Sequence, residues 1–314
     1  MKFTETKLPM MKIPAFICAV TAIICPILLP QDAFTDSFTE DLMDFGSSSG
    51  PSSGTDDLSS PWVVDKYTRS RLFVGGVDIE NNTVHLGWQI SLKDGWKTYW
   101  RSPGDAGLPP RWTWTKADNV QSITVSWPAP ELLHIFDMDT YVYSQEVVLP
   151  IDMVMADGTK PASVMLDLDY MICAEMCIPK KGRYQLDLSQ LKDMAISPFQ
   201  KAQLDRHRSR VPIKISGETT SVRLDAQDSH RLLIDLPETS GDSDMIIVEG
   251  PGGMLFGRAN LINSKDKSRF MVRYSGAQLT TGQPLTLTLL SKIGTASEMT
   301  VAVTDAAKGI GGQK

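Results

Sequence analysis

Residues 164–179 read Val164-Met165-Leu166-Asp167-Leu168-Asp169-Tyr170-Met171-Ile172-Cys173-Ala174-Glu175-Met176-Cys177-Ile178-Pro179. From Val164 to Tyr170 apolar and polar side chains alternate, which sets one face of an extended strand into a core and the other toward water. A second strand-like run, Arg183 to Leu188, follows the two cysteines. If Ala174, Glu175 and Met176 close a tight hairpin, the sulfurs of Cys173 and Cys177 meet across it, where Cα atoms ~5.5 Å apart suit a disulfide.

The same alternation recurs upstream in Val84 to Ile90 and in Ile123 to Trp127, with turn chemistry between runs at Asn81-Asn82, Asp94-Gly95, Pro103-Gly104 and Asp157-Gly158. Short strands separated by close turns predict an all-β, antiparallel sandwich or barrel. Six of the seven tryptophans fall between positions 88 and 127, so the heavier aromatic core belongs to this unit.

Around it the chain divides by composition. Lys2, Lys7 and Lys12 precede an uncharged stretch from Ile13 to Pro30, and Gln31-Asp32-Ala33 follows it. That layout predicts a signal peptide over residues 1–33 and export to the periplasm. A membrane anchor is the competing reading of so long an apolar run, and Pro26 and Pro30 weaken it. Residues 34–61 hold eight Ser, three Gly and six acidic residues without a basic one, which predicts a disordered acidic spacer. The sandwich is expected over 62–195. Ser197-Pro198, with Phe199 to Arg210 behind it, predicts a capped helix within a linker at 196–211. Strand-like runs at Ser221–Leu224, Arg231–Leu236, Met245–Val248, Arg269–Tyr274, Leu285–Leu290 and Met299–Val303 predict a second β domain over 212–304, and 305–314 reads as a disordered tail.

With 31 Lys+Arg against 37 Asp+Glu, the formal charge is −6. No basic run interrupts it, so nucleic acid is not an expected partner. Four cysteines are too few for a stapled scaffold. Cys18 and Cys25 leave with the leader, so the exported chain keeps Cys173 and Cys177 alone.

Three uses of that pair stay open. A structural staple closing so short a loop constrains the unfolded chain far less than the ~3 kcal/mol of a 15-residue loop. A redox couple suits an easily reduced short-loop disulfide in an oxidising compartment. A Cu(I) site would add the soft thioethers of Met171 and Met176 to the two thiolates. His85 lies inside a strand run and reads as structural. No phosphate loop, nucleophile elbow or zinc-protease pattern occurs, so no cofactor is expected.

The runs Asp94 to Trp100, Pro103 to Pro110, Trp127-Pro128-Ala129-Pro130, Tyr143 to Pro150 and Cys173 to Pro179 together resemble the amino-terminal periplasmic domain of the DsbD thiol:disulfide interchange family, closest to its ScsB (suppressor of copper sensitivity) branch. The resemblance covers residues 63–190 strongly and 191–305 more weakly. It implies an immunoglobulin-like antiparallel β-sandwich followed by a second β-sandwich-like domain. It further implies a redox-active pair in which Cys177 forms the mixed disulfide and Cys173 resolves it. Phe136 falls on the family's cap residue, with Tyr170 and Glu175 as neighbours of the site. His134 and Ile135 stand where the family carries acidic residues. The partners implied are a separate membrane electron carrier of the DsbD type and periplasmic thioredoxin-like oxidoreductases.

Overall fold

The computed structural model describes residues 58–135, 137–189, 191, 195–237, 243–252, 254–262, 269–291 and 294–305. The expected leader, the spacer up to residue 57, Phe136 and residues 306–314 lie outside them.

The alternation read in the sequence becomes two facing sheets. The first eleven strands are β1 (Val63–Val64), β2 (Thr68–Asp78), β3 (Thr83–Leu92), β4 (Lys97–Gly104), β5 (Arg111–Asp118), β6 (Val120–Val125), β7 (Glu131–Ile135), β8 (Met138–Ser144), β9 (Glu146–Met155), β10 (Ser163–Cys173) and β11 (Cys177–Asp187). One sheet runs β1-β2-β3-β9-β6; the other runs β11-β10-β4-β8-β7, with β5 on β10 beside β4. All pairs in both are antiparallel. Along β10 the apolar phase Val164, Leu166, Leu168, Tyr170 and Ile172 is buried, as the period of two requires. It packs with Trp88, which meets Trp112, Tyr170 and Tyr184 edge to face. Each such aromatic pair adds about 0.5–1.5 kcal/mol beyond its area term.

The partner strand begins at Cys177 rather than at Arg183, because the unalternating Ile178-Pro179-Lys180-Lys181 pairs with Ile172 to Asp169. Pro179 is tolerated since β11 lies at the edge of its sheet, where the missing amide faces outward.

Helix α1 (Pro198–Arg208) starts after Ser197, as its proline predicts, although the Ser197 side chain makes no capping hydrogen bond. It lies on the outer faces of β2 and β9. Leu204 seats on Phe73 and Val148, over a bulge at Gly75 where any Cβ would come 2.6 Å from the Leu204 Cδ2. Polar contacts do the rest. Arg208 donates to both oxygens of Asp152, at 3.0 and 2.7 Å, and His85 holds the same carboxylate at 2.6 Å. His85 is therefore a structural histidine.

The second sandwich comprises β12 (Ile213–Lys214), β13 (Ser221–Leu224), β14 (Arg231–Asp235), β15 (Ser243–Glu249), β16 (Leu255–Phe256), β17 (Asn260–Leu261), β18 (Arg269–Ser275), β19 (Pro284–Ser291) and β20 (Ala296–Thr304). Its order is β15-β19-β20-β13-β14-β18-β16. Here β12 and β13 run parallel to β20; the long intervening chain supplies the crossover that parallel pairing needs. Its core is built on Leu232, Ile234, Val272, Leu285 and Leu287. Ile247 and Leu290 instead join the core of the first sandwich, so the two units share an apolar seam.

His207 is buried under α1 and its Nδ1 lies 2.9 Å from the Gln203 carbonyl. Burial lowers its pKa against the opposing hydrogen bond to the Gln203 carbonyl, and Arg210 and Arg206 act with burial while Glu146 acts against it. Below about pH 6.5 the undocked helix gains a proton that the docked one resists, so the contribution is present above that pH and lost beneath it. Amide protection in α1 is expected to fall as the pH drops through about 6.5. His207→Gln should flatten that dependence; a wild-type profile already flat in hydrogen exchange would contradict it.

Candidate functional site

The β10–β11 hairpin puts Cys173 directly opposite Cys177, with Ala174, Glu175 and Met176 as its turn. The two form a disulfide with Cα atoms 4.1 Å apart, the close spacing of a non-hydrogen-bonded antiparallel pair.

Alternation along β10 points Cys173 away from the sandwich core, together with Met171 and Asp169. An outward residue near a strand end ought to be solvated, yet Cys173 is only 8% exposed. Its cover is a small separate cluster on the outer face of the sheet: Tyr99 from β4 and Val142 from β8, with Leu133 from β7 and Met171 alongside. Cys177, across the same bond, is exposed. One sulfur is sheltered and its partner is reachable.

Strand β4 delivers the polar contact. It joins β10 through Thr98 opposite Ile172 and Lys97 opposite Cys173, and the Thr98 hydroxyl donates to the Met171 carbonyl at 2.9 Å. This register carries the Tyr99 hydroxyl to the cysteines. It donates to the Cys173 Sγ at 2.9 Å and stands 3.8 Å from the Cys177 Sγ. Burial raises the Tyr99 pKa, so the phenol keeps its proton and remains a donor. Against sulfur in its thiolate form, such a bond contributes about 1.5–3 kcal/mol. The segment after β4 closes over the ring: Gly107, at φ +99°, lies so near that a Cβ would fall 2.2 Å from the Tyr99 Cε1.

The other sequence-derived candidates separate. Tyr170 faces the opposite way, into the core against Trp88, its hydroxyl 3.5 Å from that of Thr68. Glu175 is exposed at the turn. Met171 packs beside Cys173, whereas Met176 is 65% exposed at the hairpin tip. Phe136 lies outside the described residues, between β7 and β8. In that hairpin His134 meets the Asp139 carboxylate at 2.7 Å, and the Asp139 amide donates to Asp105 at 2.8 Å. Carboxylates of Asp139 and Asp105 thus lie beside this hairpin, although His134 and Ile135 occupy the positions where the resemblance leads one to expect acidic residues.

Tyr99 is the site residue that sequence reasoning did not single out. Its signal was Tyr99-Trp100: adjacent large aromatics in one strand point to opposite faces, so one of them has to lie outside the core. Trp100 is the buried core residue of the two.

Residues 70–189 match the family model described as thiol:disulfide interchange protein DsbD, N-terminal. Among solved structures, the N-terminal periplasmic domain of ScsB from Proteus mirabilis aligns with a TM-score of 0.66 at 23% identity, over 79% of this chain and 99% of that one. The reduced DsbD N-terminal domain of Neisseria meningitidis aligns at a TM-score of 0.25 and 20% identity, over 38% of this chain and 83% of that one. The complex between DsbD and PilB N-terminal domains from the same organism aligns at 0.22 and 17%, over 36% and 78%. No curated protein matches the chain. The family match bears out the resemblance read from the sequence, and the ScsB likeness extends the all-β architecture across both units. With the bonded cysteines, the family match supports thiol–disulfide interchange as the chemistry of this region. Among the described residues, no helix is long and apolar enough to cross a membrane.

In the reduced protein, Cys177 is expected to alkylate at least ~10-fold faster than Cys173, because a thiolate must be reachable to react and the cover over Cys173 outweighs its stabilisation by Tyr99. Gly107→Ala should narrow that ratio and cost about 1–3 kcal/mol, since its positive φ and the Tyr99 ring both oppose a Cβ. Peptide mass spectrometry after timed iodoacetamide pulses reads the ratio; equal wild-type rates would show that the cover over Cys173 is open.

Proposed function

We propose that the first sandwich is a periplasmic disulfide reductase relay, and that it exchanges dithiol for disulfide with partner proteins through Cys173 and Cys177. The observation that carries this reading is the unequal exposure of the two sulfurs, with a phenol hydroxyl donated to the sheltered one. A staple needs no such asymmetry, whereas an exchanging pair needs one sulfur open to attack and the other held ready as leaving group or resolving thiol.

In the reducing direction, the Cys177 thiolate attacks a partner disulfide. The partner's S–S bond breaks, a Cys177–partner bond forms, and the partner's second sulfur departs as thiolate and takes a proton. The Cys173 thiolate then attacks the Cys177 sulfur, which restores the Cys173–Cys177 bond and releases the partner's first thiol. Two electrons and two protons have passed to the partner. Proximity supplies much of the rate, because Cys173 is fixed directly across the hairpin. Re-reduction reverses these steps: an incoming thiolate attacks the exposed Cys177 sulfur and Cys173 leaves as thiolate. Tyr99 stabilises that anion, and a better-stabilised leaving thiolate departs faster. Periplasmic thioredoxin-like oxidoreductases are the acceptors on this reading, and a separate membrane carrier of the DsbD type is the donor.

A Cu(I) module using Cys173, Cys177, Met171 and Met176 is a second reading, favoured by Met171 lying beside Cys173 on the outer face. Anaerobic Cu(I) titration of the reduced protein separates the two, since affinity weaker than about micromolar leaves no competent soft-ligand site.

Cys173→Ser is expected to accumulate a mixed disulfide through Cys177 when the exported protein is expressed in cells and recovered by acid trapping. Recovery of none would remove the relay's main support. Tyr99→Phe should slow reduction of the Cys173–Cys177 bond by about 10- to 100-fold, the loss of one hydrogen bond to a developing thiolate.

A further inference from the structure

Tyr99 is the last residue of β4 in simple register with β8: it opposes Val142, and pairing resumes only at Gly104 opposite Thr140. The ladder to β10 has already ended at Thr98. Residues 100–103 therefore cross an irregularity in which strand pairing does not hold the backbone, and such breaks commonly re-aim side chains next to reactive sites. Trp100 turns into the core. Arg101, two residues beyond Tyr99 and past the end of simple register, reaches toward the second sandwich while its guanidinium stays against the Trp100 ring.

Its guanidinium, half-buried, donates Nε to Glu249 Oε1 at 2.9 Å and Nη2 to Glu249 Oε2 at 2.7 Å, and Nη2 also bonds Glu298. Both glutamates belong to the second sandwich. Glu249 ends β15 opposite Thr286 of β19, and Glu298 of β20 opposes Thr288 of the same strand. One face of β19 thus gathers two carboxylates around one cation. The guanidinium also stacks over the Trp100 ring, 4.6 Å from its centroid. A planar fork donated to a carboxylate on two nitrogens fixes orientation as well as distance.

We infer that Arg101, gripped by Glu249 and Glu298, is a positioning residue that holds the Tyr99 hydroxyl at Cys173, so that the second sandwich is a support of the redox site. This rests on the reading of Cys173–Cys177 as an exchanging couple. Tyr99 is fixed on one side by the Lys97–Tyr99 ladder and on the other by a clamp two residues away. Removing the cation leaves two half-buried carboxylates facing each other, which drives β15 and β20 apart from β4.

The test measures the rate at which dithiothreitol reduces the Cys173–Cys177 bond in the full chain, together with the reduction potential in glutathione buffers. Neither readout needs a physiological partner. Arg101→Gln is expected to slow reduction by about ten-fold, approaching the effect of Tyr99→Phe, and to add nothing when combined with Tyr99→Phe. A triple variant, Arg101→Gln with Glu249→Gln and Glu298→Gln, removes cation and anions together; it should fold even if the single variant does not, and still reduce slowly. Wild-type rates in the triple variant, or a further loss from Arg101→Gln in the Tyr99→Phe background, would overturn the inference. Failure of Cys173→Ser to trap a partner would instead strike the relay reading and leave this rate comparison intact.

Discussion

A sulfur on the outer face of a strand has to be covered by something other than the core. Cys173 is in that position, since the phase of β10 commits Ile172 and Tyr170 to the interior and turns the cysteine away from it. The sheet cannot shelter it by twisting without moving every other side chain of the strand to the wrong face. Shelter comes from a second, much smaller cluster assembled from β4, β7 and β8. Tyr99 is its polar member, and the arrangement of Gly107, Thr98 and the β7–β8 hairpin follows from the need to seat that ring.

The division of labour between the sandwiches follows from the same need. The first holds a dense aromatic interior around Trp88 and Trp100, with the reactive bond at one end of its edge hairpin. The second carries no cysteine, and it reaches the first both by apolar side chains, Ile247 and Leu290, and by its two glutamates on Arg101. Such an ion group offers little net stability once desolvation is counted. Its value lies in direction, because a two-pronged bond tolerates few geometries. Helix α1 contributes differently, through a polar footing on Asp152 and Glu146.

Much of this was legible in the chain itself. The alternation from Val164 to Tyr170 and the turn dipeptides carried the all-β architecture, and the strand runs of the second unit fall within β13 to β20 apart from a residue at the end of β14. Cys173 and Cys177 declared their hairpin by spacing. What stayed hidden was set by residues far apart in sequence. The parallel pairing of β12 and β13 with β20 has no local signature, because it joins segments about eighty residues apart. Arg101 meets partners 148 and 197 positions away. The early start of β11 escaped because an edge strand bearing Pro179 does not alternate as a half-buried one does. Tyr99 was visible as a strand aromatic, but its role depends on β4 lying beside β10.

Pro179 bears on how a second protein can arrive. Two residues beyond the exposed Cys177, at the free edge of its sheet, its nitrogen offers no hydrogen to an approaching strand. An incoming chain is thus discouraged from annealing along β11, the route by which exposed sheet margins fuse into fibrils or swapped dimers. Access is left to the tip of the hairpin and its outer face. A molecule that exchanges sulfurs here is thus steered to the hairpin tip, and the bond can stay exposed at a sheet margin that resists strand addition.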